Sequence, residues 1–139
     1  MANLVYTSCY RDSLLGNVNF ASDSFKMMLV TGSYSASKNH SKRSDITNEI
    51  SGTGYTSGGN TATPTVGSVN TSTNSVSVTF TVTTWTSATF TANGGVIYKA
   101  RGGSASSDEL VLFVDFGQAL SITSGDFEVT VDSPWTLNN

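Results

Sequence analysis

The sequence predicts an all-β protein, an antiparallel β-sandwich of jelly-roll or immunoglobulin-like kind with one short N-terminal helix. Three observations carry that prediction. Val76, Val78, Phe80 and Val82 alternate with Ser77, Thr79, Thr81 and Thr83, the period-two pattern of a strand with one buried and one wetted face. Apolar stretches of strand length, about seven in all, are separated by turn-forming clusters roughly every eight to twelve residues. Composition agrees: 42 of the 139 residues are Ser or Thr, while charged residues make up 12%, about half the usual share. A hydrophobic content of 37% with so little charge is the reverse of the balance that keeps a chain disordered. One domain is expected over residues 1–139, with 1–16 as an N-terminal helical segment and 133–139 as a C-terminal arm.

Tyr6 to Leu15 reads as the helix. Thr7 or Ser8 can cap its start with a side-chain oxygen, and Gly16 ends it. Tyr6, Tyr10 and Leu14 share one face at four-residue spacing, and so short a helix must pack on something. Ser24 to Val30 follows as a strand, with Phe25, Met27 and Leu29 on one face and Met28 and Val30 on the other, which implies burial on both sides. Lys38 to Ile50 is polar, with one helical turn expected around Asp45 to Asn48. Gly52 to Asn74 is loop-like in composition, but a structureless stretch of that length is unusual in a compact domain, so a short strand is expected around Thr63 to Val69.

Ser75 to Thr83 is the alternating strand. Ala88 to Thr91 and Val96 to Ala100 are two extended pieces flanking Asn93-Gly94-Gly95. Asn-Gly signals a type I′ hairpin there; the rival reading is a bulge bending one continuous strand. After a turn over Gly102 to Ser107 comes the most apolar strand, Leu110 to Phe116. It places Leu110, Leu112, Val114 and Phe116 on one side and Val111 and Phe113 on the other, and suits the middle of a sheet. Phe127, Val129 and Val131 alternate with Glu128, Thr130 and Asp132 in a last strand, which Pro134 ends.

Function narrows first by subtraction. A net charge of −3 gives no footprint for nucleic acid. No apolar run approaches the ~20 residues of a membrane helix, and Met1 to Gly16 does not read as a signal peptide, so cytoplasmic synthesis is expected. One cysteine leaves no internal disulfide framework and no Cys-rich zinc site, one histidine removes most metal and triad chemistry, and no catalytic, cofactor-binding or metal-binding residue is assigned. Cys9 reads as a small buried residue of the helix. Asp115-Phe116-Gly117 spells the kinase metal triplet without the other kinase motifs and reads as a strand end. The glycines of Gly52-Thr53-Gly54-Tyr55-Thr56-Ser57-Gly58 miss the dinucleotide fingerprint and read as turn residues. Asp126, Glu128 and Asp132 alternate outward, which could set Glu128 near an acid on a neighbouring strand, but a small sandwich offers no obvious cleft for a hydrolytic carboxylate pair.

Binding candidates remain. Lys38, His40, Lys42 and Arg43 form a small basic patch able to dock on an acidic partner. From Gly102 onward there are six acidic residues and no basic ones, an asymmetry that either guides subunits into register or is a solvated face. Trp135 and Leu137, in the terminal arm, are a candidate docking pair, on another chain or back on their own domain. Tyr55, Trp85 and Tyr98 are candidates for stacking on a sugar, the alternative for Trp85 being a place in the core.

Four stretches in order and spacing resemble a family of short virion structural proteins from tailed bacteriophages. They are Asp23-Ser24-Phe25-Lys26-Met27-Met28-Leu29, the run Asn48-Glu49-Ile50-Ser51-Gly52-Thr53-Gly54-Tyr55-Thr56-Ser57-Gly58-Gly59, then Gly95-Val96-Ile97-Tyr98-Lys99 and Val114-Asp115-Phe116-Gly117. This chain departs from the family around Ala92 to Gly95, where relatives run on without Gly-Gly. The resemblance implies a head-associated decoration or cement protein at the virion surface, with the major capsid protein as partner and no catalytic residues. It also implies a homo-oligomer, a trimer if the protein sits at capsid three-fold positions. A carbohydrate-binding or adhesion module and a tail-associated structural protein are the alternatives.

Overall fold

The structure, a computed structural model, describes residues 3–138, and for residues 132–138 the backbone alone. The alternating stretch folds as its period requires: β4 (Ser75–Val82) buries Val78, Phe80 and Val82 and leaves Thr81 exposed. The other strands are β1 (Asn3–Val5), β2 (Phe25–Val30), β3 (Asn60–Val66), β5 (Trp85–Lys99), β6 (Leu110–Phe127) and β7 (Thr130–Asn138), with one helix, α1 (Thr7–Leu14). Every strand pairing is antiparallel, in the order β1-β6-β5-β2-β3-β4-β7. All seven strands join one hydrogen-bonded sheet, where a sandwich would divide them between two. The sheet curls like half a barrel and brings β1 towards β7.

Curling makes two apolar compartments. The larger holds Phe25, Met27 and Leu29 of β2 against Phe80, Trp85, Phe90 and Val114, with Cys9, Val18 and Phe20 packed into it. On the opposite face Met28, Val30, Val96, Tyr98 and Leu110 cluster with Tyr6 and Tyr34. Both faces of β2 are therefore covered, and its near-continuous apolar sequence follows.

Helix α1 forms where expected, and Gly16, at φ +79°, stops it. Its cap and its buried face differ from expectation. Tyr6 holds the N-cap position with no side-chain cap bond, and the helix buries Cys9 and Asp12, while Tyr10 is 42% and Leu14 88% exposed. The rotation of the helix is set from outside. β1 pairs with β6, and the Tyr6 N–H donates to the Val111 carbonyl at 3.2 Å, which fixes Tyr6 in the smaller cluster before the helix begins. The one-turn 3-10 segment falls at Arg43–Asp45, earlier than expected, because the Asp45 carboxylate accepts the N–H groups of Ser41 and Lys42 at 2.9 and 3.1 Å. Strand β3 likewise starts at Asn60, before the expected Thr63.

The hairpin at Asn93-Gly94-Gly95 is absent: β5 runs through it as one strand of 15 residues. None of these three residues has positive φ, which a type I′ turn demands. The glycines serve close approach instead. A Cβ on Gly94 would lie 2.7 Å from the Phe113 ring and one on Gly95 2.7 Å from the Met27 sulfur. Slips of register between Ala92 and Gly94, and twice more towards Trp85, bend the strand, as the bulged-strand reading requires.

Strand β6 is also longer than expected, 18 residues ending at Phe127, so Phe127 does not open the last strand. A slip opposite Ile97 and Tyr98 leaves Val111 as an extra residue. An extra residue inverts the facing of what precedes it, so Leu110 joins the smaller cluster while Val111, Leu112 and Val114 join the larger one. Pro134 does not end the pairing. The β4–β7 register steps from Phe80↔Val131 to Val78↔Trp135, and the bulge so formed takes up Pro134, which has no N–H to offer a ladder. The backbones of Trp135 and Leu137 thus pair with Val78 and Val76 of their own chain; the side chains of both lie outside the described residues.

Candidate interaction surface

Residues 31–50 form a strap across the smaller cluster, and the basic patch lies on it. The strap is tied to the start of β6 by backbone first: Arg43 N–H donates to the Asp108 carbonyl at 2.9 Å and Leu110 N–H to that of Ser41 at 3.1 Å. Side chains then close it. Arg43 Nε donates to Asp108 Oδ2 at 2.7 Å, and its guanidinium stands 5.1 Å above the Tyr98 ring, a cation–π contact. Asp108, 2% exposed, also accepts the Arg101 N–H at 2.9 Å. Glu109, 4% exposed, accepts Arg101 Nε and Nη2 at 2.7 and 2.8 Å, with Lys42 Nζ at 3.6 Å. Two buried carboxylates need such company, since an unpaired buried charge is costly. Lys42 and Arg43 thus meet acidic partners within the chain.

His40 Nδ1 lies 2.9 Å from the Tyr34 hydroxyl, which lies 2.9 Å from that of Tyr6, so a chain of three polar groups links the strap to the root of α1. Lys38 is exposed, and its carbonyl accepts the Thr7 N–H at 3.2 Å.

The hydrogen bonds from Arg101, with the charge of Lys42 adding, hold the Glu109 carboxyl below the usual carboxylate range. A folded-state pKa below the unfolded one of about 4.3 stabilises fully above that pH and is lost as pH falls through the lower folded value. Glu109→Gln should therefore lower the melting temperature at neutral pH. Thermal melts from pH 7 downward should show the two proteins converging below the unfolded value; a constant gap across that window would exclude this clamp.

The three aromatic candidates do not form one platform. Trp85 is 1% exposed, stacked on Tyr55 at 6.3 Å and edge-on to Phe127 at 6.1 Å. Tyr98, 2% exposed, lies in the opposite cluster, and its hydroxyl donates to the Gly58 carbonyl at 2.7 Å. Tyr55 is half-buried; its hydroxyl donates to Glu49 Oε1 at 2.7 Å and accepts the Leu29 N–H at 3.0 Å. Glu49 also accepts the Gly58 N–H at 2.6 Å and the Ser57 hydroxyl at 3.1 Å, so one carboxylate pins the glycine-rich loop. Beside Tyr55 runs an open groove of about 470 Å³ whose walls include Asn60, Thr83, Thr84 and Thr86, with no charged side chain.

Sequence reasoning missed Glu49, Asp108, Glu109 and Tyr34 as organising residues. A signal existed for one pair: adjacent acids immediately before the most apolar strand are poorly placed for solvent and call for cations nearby. Among the described residues no cluster of His, Cys, Asp and Glu could hold a metal ion, and no helix is long and apolar enough to cross a membrane. Burial pushes the Cys9 thiol up to about 12, which keeps it protonated and unreactive at neutral pH. Comparisons with family models, with curated proteins and with solved structures find no match to this chain.

Proposed function

We propose that the protein is a bacteriophage virion structural protein, an outer-capsid decoration or cement subunit that binds the major capsid protein across neighbouring capsomers. One observation carries this reading: much of the positive charge is neutralised within the chain. Four of the seven basic residues, Lys42, Arg43, Lys99 and Arg101, are paired with carboxylates of the same chain. Hydroxyls such as those of Thr81, Thr89, Thr91 and Thr123 are left at the surface. A weakly charged, hydroxylated exterior suits broad contact with protein rather than chemistry in a cleft. The four quoted motifs resemble head-associated proteins and support the same assignment. In packing terms we read the curled sheet as sandwich-like, its two halves facing each other across the larger cluster.

A subunit seated on two capsomers must leave before they part, so binding raises head stability by linkage. Immunogold labelling of intact virions tests the location: gold on heads is expected, and gold confined to tails would replace this reading with a tail-associated one. A second reading, a carbohydrate-binding module on the virion, is favoured by the uncharged threonine-lined groove beside Tyr55. Specific glycan-array signal lost in a folded Tyr55→Ala variant, with unlabelled heads, would select it.

A further inference from the structure

Two surface features that the capsid reading leaves unused match one another. At the end of α1, Leu14 and the C-cap residue Leu15 lie three and four residues after Arg11 and share one side of the helix with it. Leu14 is 88% and Leu15 57% exposed, and Arg11, one turn before them, is exposed and forms no ion pair with another described residue. A helix normally turns its apolar stripe to a core; this one has a second stripe turned to solvent. Where β6 passes into β7 there is a hollow of about 110 Å³. Phe116, Leu120 and Val129 form its half-buried walls, Val114 and Phe127 its buried floor, and Glu128 stands exposed beside it. Glu128 also lacks a cation among the described residues, and no residue of α1 lines the hollow.

We infer that these are the two halves of a contact between copies of this chain. Leu14 of one copy seats in the hollow of the next, and Arg11, one helical turn before it, pairs with Glu128 beside that hollow. The occupant is a second copy because polarity and charge both match. An apolar knob beside a cation faces an apolar hole beside a carboxylate, and one chain carries both. Two different patches make a heterologous contact, which closes into a ring or runs on as a chain. The contact needs no capsid, so its test is independent of the capsid reading.

Analytical ultracentrifugation of the purified full-length protein, at micromolar concentrations and low salt, should show self-association. Leu14→Asp should weaken it at least about 30-fold, the effect of losing one buried leucine. Glu128→Arg should also weaken it, and the charge-exchanged pair Arg11→Glu with Glu128→Arg should restore it. Arg11, Leu14 and Glu128 are exposed and Val129 is half-buried, and circular dichroism checks that each variant is folded. An equal mixture of Leu14→Cys and Val129→Cys proteins, treated with a mild oxidant such as oxidised glutathione, should form a disulfide dimer containing one of each. A parent protein that stays monomeric, association that survives Leu14→Asp, or cross-links only between like variants would overturn the inference.

Discussion

Gly59→Ala is expected to leave the chain unable to fold. Gly59 has φ +81°, and a Cβ there would overlap the Met27 carbonyl and stand 2.8 Å from the Met28 Cα. Those atoms belong to the backbone of β2, which is paired on both sides, Met27 with Asn60 and with Ile97. They cannot retreat without breaking two ladders. The left-handed conformation adds about 1–2 kcal/mol for any residue with a Cβ, and the backbone collision places the total above ~4 kcal/mol, where single substitutions become exceptional. Gly103→Ala is the control: nothing lies within 4 Å of its Cβ and its φ is not positive, so an effect within about 0.5 kcal/mol is expected. Urea denaturation reads both: no folded baseline is expected for Gly59→Ala, and the parent's midpoint for Gly103→Ala. A soluble Gly59→Ala protein with the parent's midpoint would contradict the packing of the glycine-rich loop on β2.

Arg43→Ala should give the largest loss among the strap residues. It removes the guanidinium from Asp108 and from the Tyr98 ring, and leaves a carboxylate that is 2% exposed without its cation. Breaking one side of such a pair costs about 3–5 kcal/mol; with the arginine side chain itself 22% exposed, the expectation is the lower end, about 3 kcal/mol. The double variant Arg43→Ala with Asp108→Asn should recover part of this, because the amide is neutral and can still accept the Arg101 N–H. A double-mutant cycle reads the coupling directly. Amide exchange should quicken along residues 31–50 in Arg43→Ala while β4 keeps its protection; uniform quickening would mean that the strap is not a separately fastened layer.

Legibility followed the range of the interactions concerned. β4 and β2 were readable because alternation and two-sided apolarity are local consequences of burial. Asn93-Gly94-Gly95 misled because the same residues serve two purposes: a glycine admits positive φ, and it also makes room for a neighbour. Only the third dimension shows that Phe113 and Met27 fill that room. The facing of Leu110 was unreadable for a related reason, since a one-residue bulge inverts a strand without marking its composition. The helix face was set by β1 pairing with a strand more than a hundred residues away, beyond any periodicity argument. In the basic patch the residue types were legible, yet the partners of Lys42 and Arg43, Glu109 and Asp108, stand more than sixty residues on in sequence. The turn character of the loop glycines was readable, and Gly52, Gly54, Gly58 and Gly59 all have positive φ.

The central claim is that this protein acts by lying against a protein shell and holding it together. Differential scanning calorimetry of heads lacking the protein, before and after addition of the purified chain, tests it most directly. The account predicts that added protein binds the heads and raises their melting temperature in step with occupancy. Heads that bind the protein and melt unchanged, or do not bind it at all, would contradict it.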